Sequence, residues 1–154
     1  MIPAGGKFLL DTNIIIALLE GDEAVLSNLD RAREVFVSAI ALGELFFGAA
    51  KSGRPAENIA KMERFALGRA IVVCDLEVAR EYGGLKQRLK EKGRPIPEND
   101  MWIAASARKH GMILVTRDVH LPQMRIRNRT ANALIEWTPA RTNKSGESQM
   151  IALA

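Results

Sequence analysis

Only one cysteine, Cys74, and two histidines occur in the 154-residue chain. An intrachain disulfide is therefore impossible, and neither CxxC nor Cys/His zinc spacing is present. Inside the apolar run AIVVCD, Cys74 reads as a small buried hydrophobe rather than a reactive thiol. No apolar stretch approaches the roughly 18 residues that a membrane-spanning helix needs, and the opening residues MIPAGG carry neither a basic n-region nor an apolar h-region. A cytoplasmic protein without a membrane span is the expectation. What is present is ordinary for one folded domain: 47% hydrophobic and 26% charged residues, over a length that buries a sizeable core.

Positive charge is in modest excess. The formal net charge is +4 and the sequence pI is about 9.5, a balance that suits a polyanionic partner. The basic residues bunch at Lys51 and Arg54, through KQRLKEKGR at 86–94, and through RIRNR at 125–129. A solvated face explains each bunch more readily than a nucleic-acid surface does.

The pattern of apolar runs alternates between strand and helix. KFLL reads as a short buried strand, followed by a helix over TNIIIALLEG that stops at Gly21. A second helix over DEAVLSNLDRAR leads to a strand at EVFVS, and AIALGELFFGAAKSG is a helix stopping at Gly53. The helix ENIAKMERFAL precedes a β-branched strand, AIVVC, and then a long helix, DLEVAREYGGLKQRLKEKG, that Gly83-Gly84 interrupts. After the loop RPIPEN come the helix DMWIAASARKHG, stopped at Gly111, the strand MILVT and a turn at Arg117-Asp118. Short continuous apolar strands alternating with helices predict a parallel sheet covered on both faces, a three-layer α/β/α domain. The domain is expected to span residues 1–138. From Pro139 the sequence turns polar, and 139–154 is expected to form a mobile tail.

In such sheets the working surface lies at the carboxyl ends of the strands. Asp11 ends the first strand, Asp118 follows the fourth, Asp100 opens the helix DMWIAAS, and Glu44 sits within AIALGELFFG. Asp11 has two open roles, helix N-cap and chemical group. Asp100 near a helix start is explained by the helix dipole alone, and Asp118 by turn formation. Glu44 differs, because its helical neighbours Ile40, Ala41, Phe47 and Gly48 make its face apolar. A lone carboxylate there is costly, so Glu44 is expected to find a cationic partner, from elsewhere in the fold or from a bound metal. If the four acids converge to about 5 Å, each pair repels by roughly 3 kcal/mol at an effective dielectric of 20. Divalent cations would relieve that repulsion. An all-oxygen donor set selects a hard ion, Mg²⁺ or Mn²⁺, which activates water and neutralises charge on a phosphodiester.

These stretches, LLDTNIII, VSAIALGELFFGAAKS, IPENDMWIAASARKHG and ILVTRDVHL, resemble in order and separation the motifs of PIN-domain ribonucleases, and more narrowly those of VapC-type toxins of toxin–antitoxin pairs. The resemblance covers residues 8–120. It implies a PIN-like parallel sheet of four to five strands in the order 3-2-1-4-5 and endonucleolytic cleavage of RNA by metal-activated water. Asp11, Glu44, Asp100 and Asp118 would be the catalytic, metal-binding acids. Asn13 and Thr116 match supporting polar positions beside them, as does Asn99, which an N-cap role explains equally well. The resemblance also implies a cognate VapB-type antitoxin as inhibitor and a homodimer, with IIIALLEG, DEAVLSNL and ENIAKMERFAL offering apolar surface. Beyond VTRDVHL the chain departs from the family's usual course: the segment before Trp137 is unusually basic, and the last strand is expected near ALIEW.

Two other enzyme classes with an acid at a strand end fit less well. A phosphoacceptor domain wants paired early acids and a late lysine, and a haloacid-dehalogenase-like phosphatase wants Asp-x-Asp where residue 13 is Asn. The non-enzymatic alternative is a catalytically inactive PIN-like module that binds RNA or protein.

Overall fold

A computed structural model describes residues 6–30, 32–118 and 134–136 of the chain. In chain order these form β1 (Lys7–Leu10), α1 (Thr12–Leu19), α2 (Glu23–Leu29), β2 (Glu34–Ser38), α3 (Ala39–Ala50), α4 (Pro55–Leu67), β3 (Ala70–Val72), α5 (Leu76–Glu91), α6 (Glu98–Lys109), β4 (Ile113–Thr116) and β5 (Leu134–Glu136). The strands build one sheet in the order β3-β2-β1-β4-β5, and every neighbouring pair is parallel. The expected strand order and the strand near ALIEW are both found. No helix among the described residues is long and apolar enough to cross a membrane.

β1 is the centre of the sheet. Phe8, Leu9 and Leu10 all have zero exposure, and because successive side chains on a strand point to opposite faces, both faces must be covered. β4 is buried along its whole length for the same reason. The chain builds outward from β1 to β2 and β3, then returns to the other side of β1 for β4. The order therefore reverses between β1 and β4, which opens a crevice at their carboxyl ends. Leu10 pairs with Val115 there, and the main-chain N–H of Asp11 extends the ladder by donating to the Val115 carbonyl at 3.0 Å. Helix stops follow local chemistry: Gly21 (φ 80°) and Gly111 (φ 61°) take the left-handed conformation after α1 and α6.

Three expectations about elements are corrected. Gly83-Gly84 does not interrupt α5, which runs unbroken over 16 residues. Each glycine costs about 1 kcal/mol against alanine, but α5 is capped by Asp75, which accepts from Val78 N–H at 2.9 Å, and buries Val78, Leu85 and Leu89. It also runs antiparallel along α6, through Glu77–Lys109, Glu81–Arg108 at 2.9 Å, Lys86–Glu98 at 2.7 Å and a Tyr82–Trp102 ring stack at 3.9 Å. Tertiary contact outweighs the local preference. Helix α3 ends at Ala50 rather than Gly53, where Ser52 turns its hydroxyl back onto the Ala49 carbonyl at 2.7 Å.

β3 stops at Val72, short of Cys74, because its partner β2 ends at Ser38, which pairs with Val72 and then caps α3. Cys74 consequently lies exposed in the following loop, not buried as expected. Its thiol is nonetheless shielded enough that desolvation pushes its pKa up, against a lowering contribution from a Ser106 hydrogen bond, so it is not a poised nucleophile. The basic segment at 125–129 and the tail expected from 139 lie outside the described residues.

Candidate active site at the carboxyl edge of the sheet

Asp11 is 3% exposed, at the end of the central strand. The cap role is the one observed directly: it is the N-cap of α1, with Oδ1 accepting from Thr12 N–H at 2.8 Å, while its carboxylate stands at the carboxyl ends of β1 and β4. Oδ2 accepts from the Thr116 hydroxyl at 2.6 Å and from Asn13 Nδ2 at 3.1 Å. Burial pushes the Asp11 pKa up. The Thr116 and Thr12 hydrogen bonds oppose that shift, while the negative charges of Glu44 and Asp118 add to it. The site is thus a buried carboxylate within the field of two others.

Glu44 arrives from α3, whose start is fixed by Ser38: this residue ends β2 and caps the helix through its hydroxyl, which accepts from Ile40 N–H at 3.1 Å. Glu44 is half-buried, and its hydrogen-bond donors among the described residues are neutral. Thr12 donates its hydroxyl to Oε2, and Asn99 donates Nδ2 to Oε1 at 2.9 Å. Among the described residues, two polar side chains from α1 and α6 reach the carboxylate and no cationic one does, while one edge of the half-buried group stays open to solvent. The N-cap explanation for Asn99 is corrected. Pro97 occupies the cap position of α6, and Asn99 stands in the first turn with its side chain on Glu44.

Asp100 follows Asn99 in the same turn of α6 and is half-buried. Asp118 is carried by the two residues after β4, which are secured from the pocket itself. The Arg117 main-chain N–H donates to Asn13 Oδ1 at 3.1 Å, and Asp118 N–H donates to Thr116 Oγ1 at 2.9 Å. Asn13 therefore serves Asp11 with Nδ2 and the Asp118 loop with Oδ1, and Thr116 serves both with its single hydroxyl.

The structure brings Asp11, Glu44, Asn13, Thr116 and Asn99 into one hydrogen-bonded network through Thr12, which links Asp11 to Glu44. Asp118 joins through its backbone and its charge. Among the described residues, no three His, Cys, Asp or Glu side chains are gathered tightly enough to hold a metal ion. The acids share a field but not a closed coordination shell. In kind, the donor set fits a hard divalent cation: every group is oxygen, and the most buried carboxylate is the one whose neighbours raise its pKa.

Sequence reasoning missed Thr12 and the pair Asp22–Arg117. Thr12 had a signal, as the residue after an N-capping acid whose side chain shares the helix's first turn. Asp22 and Arg117 are 95 positions apart, and nothing in their spacing announces the ion pair they form.

A parallel sheet reversing at its central strand, with a buried acid at that strand's end in the field of Glu44 from α3 and Asp118 after β4, is an α/β/α fold of the PIN class. The PIN domain family model matches residues 8–126, and the chain belongs to that family. Within it the chain is of the VapC toxin type. It is 38% identical over 128 residues to Ribonuclease VapC2 of Haemophilus influenzae, covering 82% of this chain and 97% of the relative. It is 35% identical to the tRNA(fMet)-specific endonuclease VapC of Shigella flexneri over 115 residues, covering 73% and 86%. The fold matches that of DNA-bound VapBC from Salmonella typhimurium with a TM-score of 0.70 and 30% identity, covering 84% of this chain and 96% of that one.

Proposed function

We propose that the chain is a divalent-metal-dependent endoribonuclease, the toxin of a toxin–antitoxin pair. The observation that carries this reading is Asp11: a carboxylate 3% exposed, its pKa raised by burial and by two neighbouring carboxylates, at the mouth of the crevice between β1 and β4. A fold does not retain such an arrangement for stability, since the like charges work against it.

Asp11, Glu44, Asp100 and Asp118 are the proposed metal-binding acids, with Asn13, Thr116 and Asn99 in support. A bound Mg²⁺ or Mn²⁺ supplies charge neutralisation at a phosphodiester and a lowered pKa for water. The chain's own residues do the rest. Thr116 and Asn13 hold the Asp11 carboxylate in one orientation, and Thr12 and Asn99 hold both oxygens of Glu44. Thr116 and Asn13 also set the loop that presents Asp118. Lys51, Arg54 and the basic run at 86–94 offer the phosphate backbone of RNA a positive approach to an acidic centre.

The names of the curated relatives support RNA as substrate, and that of the Shigella flexneri protein makes initiator tRNA the first RNA to try. Solved relatives are VapBC and FitAB assemblies, which supports a cognate VapB-type antitoxin as inhibitor. Homodimerisation and a cytoplasmic location complete the reading. One observation favours the alternative, an inactive PIN-like binding module: among the described residues the acids do not close on a common point.

The test is cleavage of total cellular RNA and of initiator tRNA by antitoxin-free protein with Mg²⁺, Mn²⁺ or EDTA, beside Asp11→Asn. Discrete, metal-dependent products absent from the variant support the nuclease. Folded protein that cleaves nothing in any metal supports the binding module.

A further inference from the structure

The two residues that carry Asp118 are anchored at a third point, away from the pocket. The Arg117 guanidinium pairs through Nη2 with Asp22 Oδ2, while the other oxygen of Asp22 caps α2 by accepting from Ala24 N–H at 3.0 Å and Val25 N–H at 3.1 Å. Both side chains are about one-third exposed, at 33% and 31%, so the pair is shielded in part from water. The Arg117 hydrogen bond also holds the Asp22 carboxyl below its ordinary range, with desolvation opposing it. One face of Arg117 thus grips the start of α2, while its backbone is gripped by Asn13 from α1. With the Asp118 N–H held by Thr116, the loop cannot swing without breaking a contact to α1, α2 or β4.

From this geometry we infer that Asp22 and Arg117 are positioning residues for the acidic pocket, acting as one unit that fixes where Asp118 stands relative to Asp11. This rests on the nuclease reading above. Neither side chain is among the proposed metal-binding or supporting groups. Their contribution is to remove freedom from the loop, and a displacement near 1 Å at a reacting centre costs up to about a hundredfold in rate.

Asp22→Asn isolates the ion pair from the helix cap, because asparagine caps as well as aspartate does. Arg117→Met removes the same pair from the other side, and Arg117→Lys keeps a cation that can still reach Asp22. The full-length variants are compared with the native chain by RNA cleavage kinetics, Mn²⁺ binding by calorimetry and thermal melting. Asp22→Asn and Arg117→Met are each expected to lower kcat about tenfold and to weaken Mn²⁺ binding, leaving KM for RNA within about twofold and the melting temperature within about 3 °C. The double variant should lose no more than either single one, and Arg117→Lys should recover most of the loss. Native kcat and Mn²⁺ affinity in Asp22→Asn, or losses that multiply in the double variant, overturn the inference. Failure of the underlying nuclease reading looks different: the native chain itself then neither cleaves RNA nor binds Mn²⁺ in a manner that Asp11→Asn removes.

Discussion

Thr116 donates its hydroxyl to Asp11 at 2.6 Å across 105 positions of sequence, joining the carboxyl ends of two adjacent strands at the one place where the sheet's order reverses. The same oxygen accepts from Asp118 N–H at 2.9 Å. A single hydroxyl therefore ties the first acid of the chain's acidic set to the last.

Thr116→Val keeps the shape and removes that hydroxyl. It takes away the largest contribution lowering the Asp11 pKa, one of the two hydrogen bonds on Asp11 Oδ2 and the acceptor of Asp118 N–H. Destabilisation of about 1–3 kcal/mol is expected near neutral pH. With the Asp11 pKa driven higher still, the charge-linked part of the loss should shrink as pH falls through the folded Asp11 pKa of the variant and then of the native chain, both above 3.8. Thr116→Ser should behave as native. Urea melts at several pH values in metal-free buffer check both.

Asp11 itself has a pH signature. Its folded pKa lies above its unfolded value of 3.8, so between the two the folded state holds more protons, and stability falls as pH rises through that window. Asp11→Asn keeps the α1 cap and carries no charge. The melting temperature of the variant relative to the native chain should therefore improve as pH is raised from below 3.8 toward neutrality, without metal. Adding Mn²⁺ at a hundred times its dissociation constant stabilises the native chain by about 2.7 kcal/mol and leaves the variant unchanged. An equal Mn²⁺ shift in both proteins would count against Asp11 as a ligand.

Glu44 depends on two neutral donors, so Thr12→Val and Asn99→Ala each free one of its oxygens. Because the carboxylate is half-buried, water can replace the missing partner, and the stability cost should stay near 1 kcal/mol. RNA cleavage should nonetheless fall about tenfold, since orientation and not folding is what these residues supply. Single-turnover cleavage beside thermal melts separates the two effects.

Gly83 tests how α5 tolerates its glycine pair. A Cβ built there meets nothing within 4 Å, and the residue is not in the left-handed region. Gly83→Ala should stabilise the protein by about 0.5–1 kcal/mol, seen as a rise of a few degrees in melting temperature, with activity unchanged. A decrease would mean that the helix needs a bend at that point.

The legible parts of this protein were those written in local pattern. Phe8, Leu9 and Leu10 announce a strand covered on both faces, and Asp11 stands out because it interrupts an apolar run at the strand's end. Glu44 stands out because its helix face is apolar. What the pattern hid was decided by partners distant in sequence. β3 ends where Ser38 leaves the ladder, which no feature of AIVVC reveals, and Cys74 is exposed as a result. α5 stays whole across Gly83-Gly84 because α6 lies along it. Asparagine and threonine on Glu44, and arginine on Asp22, are choices of fold geometry, since a hydrogen bond records only where two groups end up.

The double duty of Asp11, a helix cap as well as the pocket's most buried acid, has a genetic consequence. Aspartate and asparagine codons differ by one base, and asparagine caps a helix equally well. On the proposed nuclease reading, loss of activity is therefore one point mutation away, in a chain that keeps the cap of α1. Under that reading, inert descendants of such a gene should persist as intact, translated proteins rather than as debris, available to keep binding whatever the active form bound.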